Sequence, residues 1–188
     1  MKKRLQLLLA GVVALAMSQA AFGQDHLLIT EFVVTPTDGE FIEIYNPTAS
    51  AIDLSNYYLT DDIDDNDNHY ATVVEPNYGV GSSSDFMVRF PSGTMIDPGQ
   101  FITVAFSGGG FATTYGKNAD FEIVRQDANG DDPNTANMDS ISVGGASFMG
   151  LSNSGECIIL FYWDGQSDLV KDFDIVVWGD QNEAVDKT

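Results

Sequence analysis

Short alternating runs dominate the chain after its first two dozen residues. In residues 40–46, Ile42 and Ile44 fall on one side, while Phe41, Glu43 and Tyr45 fall on the other. A period of two marks a strand, because successive side chains point to opposite faces of a pleated backbone. The same reading predicts strands near residues 27–34, 57–60, 71–74, 86–90 and 101–106, and then near 121–124, 157–163 and 169–178. Asp38-Gly39, Ser92-Gly93, Pro98-Gly99 and Asp164-Gly165 supply turns between runs. Residues 158–163 are apolar on both faces, which predicts a strand covered on both sides. No segment after residue 23 combines a helical period with caps, so no helix is expected there. Residues 61–68, 79–84 and 127–140 break the rhythm and read as polar loops. Many short strands with frequent turns imply an all-β sandwich or barrel.

Residues 39–62 show how the chain reverses. Asn46-Pro47 opens a turn, since Asn can bond to backbone two residues on and Pro presets φ. Ile52 and Leu54 then return an alternating pair to the interior, and 57–60 resumes extended structure. The expected core includes Ile42, Ile44, Ile52, Leu54, Val104, Ile159 and Phe161.

The N-terminus follows another logic. Lys2, Lys3 and Arg4 precede a largely apolar stretch, 5–17, and small residues follow at Ala21-Phe22-Gly23. This is the three-part pattern of a secretory signal peptide. Cleavage is expected before Gln24, with a second possible site after Ala20. The apolar stretch is shorter than the roughly 20 residues that a membrane-spanning helix needs. Residues 1–23 are therefore expected to be a signal peptide and 24–188 one domain, secreted or at the cell surface. No membrane insertion is expected after cleavage.

Charge narrows the partners. The formal net charge is −20, and without residues 1–23 it is −23, 5 basic against 28 acidic residues. Such a surface repels phosphate backbones and anionic lipid, so nucleic acid is excluded as a partner. Disorder is not expected, because 44% of residues are hydrophobic and 11% aromatic. Cys157 is the single cysteine, so no internal disulfide forms, and its apolar surroundings predict burial.

Catalytic patterns fail on spacing. Gly150-Leu-Ser-Asn-Ser-Gly155 has one residue too many for a nucleophile elbow and precedes a strand. His26, His69 and Cys157 make no zinc signature. Gly108-Gly109-Gly110 lacks the Lys and the expected helix of a phosphate loop. Acidic residues are too abundant for sequence to single out a glycosidase pair.

The acidic loop offers one metal reading. Asp62, Asp64 and Asp67 are the candidate calcium ligands, with Asp61 and Asp65 beside them. The loop departs from an EF-hand, with Asp67 in place of the turn Gly and Val73 in place of the final Glu. Starting from Asp127, the second polar loop fails likewise at Asp132 and Met138. A solvated acidic loop is the favoured reading, and a weak calcium site the minority one. No other cofactor is expected.

An ordered set of motifs resembles the lamin tail domain, or intermediate-filament tail domain, in its exported bacterial form. The set runs through Ile-Thr-Glu-Phe at 29–32, Glu-Phe-Ile-Glu-Ile-Tyr-Asn-Pro at 40–47 and Ile-Asp-Leu-Ser-Asn-Tyr-Tyr-Leu at 52–59. It continues with Pro-Gly-Gln-Phe-Ile-Thr-Val at 98–104, Leu-Ser-Asn-Ser-Gly-Glu at 151–156 and Asp-Ile-Val-Val-Trp-Gly at 174–179. The resemblance implies an immunoglobulin-like β-sandwich and brings no established catalytic residues. It is similar to accessory or surface modules. The expected function is therefore that of an exported, non-catalytic module that interacts with a protein or a glycan. The alternative is an accessory domain of a larger extracellular hydrolase. Aromatics such as Tyr58, Tyr115, Trp163 and Trp178 are expected mainly in the core, with glycan contact the lesser role.

Overall fold

Alternation becomes pairing in the computed structural model, which describes residues 24–63, 69–123, 130–143 and 150–179. The expected signal peptide lies outside the described residues. In chain order the strands are β1 (Leu28–Val33), β2 (Phe41–Tyr45), β3 (Ile52–Asp53), β4 (Tyr57–Thr60), β5 (Phe86–Arg89) and β6 (Met95–Ile96). They continue with β7 (Phe101–Ala105), β8 (Phe121–Glu122), β9 (Ala136–Asn137), β10 (Asp139–Val143), β11 (Gly155–Tyr162) and β12 (Lys171–Gly179). The first sheet has the order β1-β2-β7-β8-β9 and the second β10-β5-β4-β11-β12, while β3 and β6 pair separately.

The inner faces of the two sheets share one core, as a β-sandwich requires. Ile42, Ile44, Ile102 and Val104 from the first sheet join Leu59, Phe86, Val88, Ile158 and Leu160 from the second. Each such side chain contributes about 1.5–3 kcal/mol by leaving water. Ile42, Ile44, Leu54 and Val104 are buried as expected, and Ile52 packs partly buried at the margin. Ile159 and Phe161 are buried on the opposite face, with Tyr58, Val73, Met87 and Cys157. Both are buried as expected, and the period of two explains the division between faces: Ile158 and Leu160 point into the sandwich, so their neighbours must point out. β11 is thus covered on both faces, as its double apolar pattern predicts.

The cover over that outer face was expected to be a strand near 71–74. It is instead a 3₁₀ turn, Tyr70–Val74. Val73-Val74 favours extended backbone locally, yet the segment joins no sheet. Its tight turn sets Val73 down among Tyr58 and Phe161, with Tyr70, Val74 and Tyr78 packed around them.

A helix also appears where none was expected. α1 spans Gly108–Tyr115. The Ser107 side chain accepts a hydrogen bond from Gly110 N, and Gly116 ends the helix in the left-handed region at φ 68°. Three glycines at its start lower intrinsic helix propensity and conceal it from a propensity argument. They are there for space. A Cβ on Gly110 would lie 2.3 Å from the Asp38 carbonyl oxygen. α1 therefore seats directly on the backbone of the neighbouring 3₁₀ turn, Thr37–Gly39. The polar stretch expected as a loop over 127–140 likewise contains β9 and the start of β10. The strand expected over 121–124 is described only as β8, with Val124 outside the described residues. No helix among the described residues is long and apolar enough to cross a membrane.

Candidate functional site

The two outer faces of the sandwich differ. That of the second sheet carries the packed cover around Tyr70–Val74. Among the described residues, that of the first sheet is covered at one end only, where Phe111 of α1 packs with Phe41, Ala105 and Ala119. Beside that end lies an open groove of about 480 Å³.

Register builds the groove. Val33 pairs with Phe41 and Phe41 with Ala105, giving an apolar row under α1. The next outward row is Glu31, Glu43 and Thr103. Beyond the groove lining, the next row of the same face sets Tyr45 beside Phe101, with their rings stacked at 4.4 Å between centroids. Phe101 remains 50% exposed, which is unusual for a ring of its size. A β-bulge between Ile29 and Glu31 shifts the β1 register and leaves Thr30 and Glu31 both exposed. Thr30 Oγ1 donates to Glu43 Oε1 at 2.8 Å. Tyr115 closes the groove from α1. Its hydroxyl donates to the Gly39 carbonyl at 3.1 Å, and its ring meets Phe41 edge-on at 5.6 Å. Exposed Lys117 completes the lining. Among the described residues the arrangement offers two carboxylates, one cation and aromatic surface, and no activated nucleophile.

Buried carboxylates cluster elsewhere, at one end of the second sheet. Asp61 and Asp62 are buried just after β4. Asp61 Oδ1 accepts from Phe86 N at 2.7 Å, while its Oδ2 has no hydrogen-bond partner among the described residues. Asp62 accepts from Gly81 N at 3.1 Å and from the Tyr78 hydroxyl. Glu156 accepts from Ser152 N at 2.8 Å. Burial, and then the nearby Glu156 charge, push the Asp61 carboxyl well above the usual carboxylate range. Burial likewise pushes Glu156 up to about 7. Backbone N–H groups engage these side chains, and their observed work is to fix local chain geometry.

A pH dependence follows. A carboxyl whose folded pKa is raised binds its proton more tightly when folded. Its stabilising contribution is complete below the unfolded value, near 4.5, and is lost as pH rises through the folded value, about 7 for Glu156. Stability should fall by about 2 kcal/mol between pH 5 and 8 from Glu156, after allowance for its partial exposure. Thermal melts across that range test this. Glu156→Gln should flatten the profile, and an unchanged slope would contradict it.

Glu122 forms a second buried acidic site. Its Oε2 accepts from Gly108 N at 2.9 Å, at the start of α1, and its Oε1 accepts from Asp132 N at 3.0 Å. A helix does begin at Gly108-Gly109-Gly110, contrary to expectation. A protein carboxylate already takes the first glycine's N–H, however, and α1 contains no Lys.

Of the candidate calcium ligands, only Asp62 lies among the described residues. Asp62 is buried and engaged by Tyr78 and Gly81, whereas Asp64 and Asp67 lie outside the described residues. Asp132, from the second polar loop, is buried and bonds to Asn134 N at 3.0 Å. Among the described residues no group of three His, Cys, Asp or Glu side chains is arranged to hold a metal ion. His69 is exposed. Ser152 and Ser154 bond to each other at 3.0 Å in the turn before β11. Sequence reasoning missed the groove, because Glu31, Glu43, Thr103 and Tyr115 are scattered along the chain. The signal available was the mixed outer face of 40–46, where charge alternates with rings.

Comparison with known proteins bears on the fold. The family model described as Lamin Tail Domain matches residues 20–179. A solved DUF4876 family protein from Bacteroides thetaiotaomicron has a similar fold, with TM-score 0.50 and 16% sequence identity over 79% of this chain. The matched region spans 50% of that longer chain. No curated protein matches this sequence.

Proposed function

We propose that this chain, which belongs to the lamin tail domain family, acts as an exported, non-catalytic module that binds a protein or a glycan at or outside the cell surface. The groove on the first sheet carries the reading. It is open, it joins aromatic surface to hydrogen-bonding groups, and a rigid sheet holds most of its lining. Export rests on the basic, apolar and small-residue order of residues 1–23.

Peptide and glycan arrays probed with the purified protein test this function. At least one probe class should bind saturably, and Glu43→Lys should abolish that binding without lowering the melting temperature. A panel of phosphate esters and polysaccharides should show no turnover. Reproducible hydrolysis, or binding indifferent to Glu43→Lys, would overturn the reading.

A further inference from the structure

We propose that the groove on the first sheet receives an arginine side chain from a protein segment, an assignment that rests on the interaction-module reading. Charge points to a cation. Glu31 and Glu43 are direct cross-strand partners, and like charges so placed repel. Among the described residues, neither carboxylate forms an ion pair, and Lys117 pairs with neither of them. A cation between the two relieves a repulsion that the β1 bulge builds into the sheet. The excess of acidic residues over the whole chain also attracts a basic segment from a distance.

Shape narrows the cation to a guanidinium. Phe41, Phe111 and Tyr115 meet ring to ring at the α1 end, so the groove has an apolar end beside its acidic row. An arginine stem can lie on apolar surface while its charged head reaches carboxylates. The planar head has five donors and can bridge two acceptors, which an ammonium matches less well. Tyr115 is 39% exposed and offers a ring for the same head to stack on. Its hydroxyl is anchored to Gly39, so the ring is already positioned. A sugar could hydrogen-bond these carboxylates, but it would leave their mutual repulsion in place.

N-acetyl-arginine amide, titrated into the isotope-labelled purified protein, tests the assignment by NMR. The expected result is saturable shifts at the amides of Glu31, Glu43, Thr103 and Tyr115. The neutral citrulline analogue should bind at least about tenfold more weakly, as loss of a charged hydrogen-bonded pair implies. Glu31→Gln and Glu43→Gln should each weaken the arginine probe by a similar factor with unchanged melting temperature. Equal binding of citrulline, or shifts confined to another surface, would overturn the proposal. An oligosaccharide that shifts these amides when arginine does not would overturn it while leaving the interaction-module reading intact. If neither shifts them and no array probe binds, both readings fall.

Discussion

Replacing Ile44 with Asp should abolish cooperative folding. Ile44 is fully buried in the core shared by the two sheets, and its strand partner Ile102 is buried in the same cluster. The substitution removes an aliphatic side chain, at a cost of about 2–5 kcal/mol for such large-to-small changes. It also places a carboxylate among apolar neighbours, and the total should exceed about 5 kcal/mol, comparable to the whole stability of an ordinary domain. Circular dichroism melts check this: no cooperative transition is expected. The same change at half-buried Ile52 should cost less, because that side chain lies at the core margin. If Ile44→Asp melts like the parent, the facing of β2 is wrong.

Gly108→Ala should cost about 3 kcal/mol or more, although it adds a single methyl group. That carbon would lie 2.1 Å from Glu122 Oε2 and 2.9 Å from Asp132 Cβ. Swinging Glu122 aside is the obvious relief, yet its carboxylate is fully buried and accepts from Gly108 N and Asp132 N. Moving it would strip Asp132 N of its acceptor, while Gly108 N would keep the Gly130 carbonyl at 3.0 Å. Pairing the change with Glu122→Ala supplies the missing space, so the double variant should lose less than the sum of the single losses. Urea titrations of the three variants measure the coupling. Strictly additive losses would show that the contact does not limit stability.

What the sequence revealed depended on whether the signal was local. Alternation in 40–46 and 101–106, together with the ordered family motifs, located the strands and the sandwich, because side-chain period is a local property of the chain. The double coverage of β11 was also legible from its unbroken apolar run. Other features depended on contacts distant in sequence. Val73 belongs to a 3₁₀ turn because a sheet face needed covering. The glycines of α1 reflect the nearness of Asp38 and Glu122, which no propensity registers. Ile159 is core, as expected, but the face it occupies was not legible, because its run is apolar on both sides and composition could not break the tie. The groove was invisible for the same reason: Glu31 meets Glu43 through strand register, and Tyr115 reaches them from a helix that the glycines had hidden.

Hydroxyl-radical footprinting, which reads side-chain exposure, can decide whether the open face of the first sheet is the working surface. Purified protein would be oxidised alone and then saturated with the strongest array probe. Oxidation of Phe101 and Tyr115 should fall on saturation, while Leu169, which is 79% exposed and follows β11, should be oxidised equally in both samples. Unchanged oxidation at Phe101 and Tyr115, with protection appearing at Leu169 or Trp163, would place binding on the other sheet and contradict the assignment of function to this face.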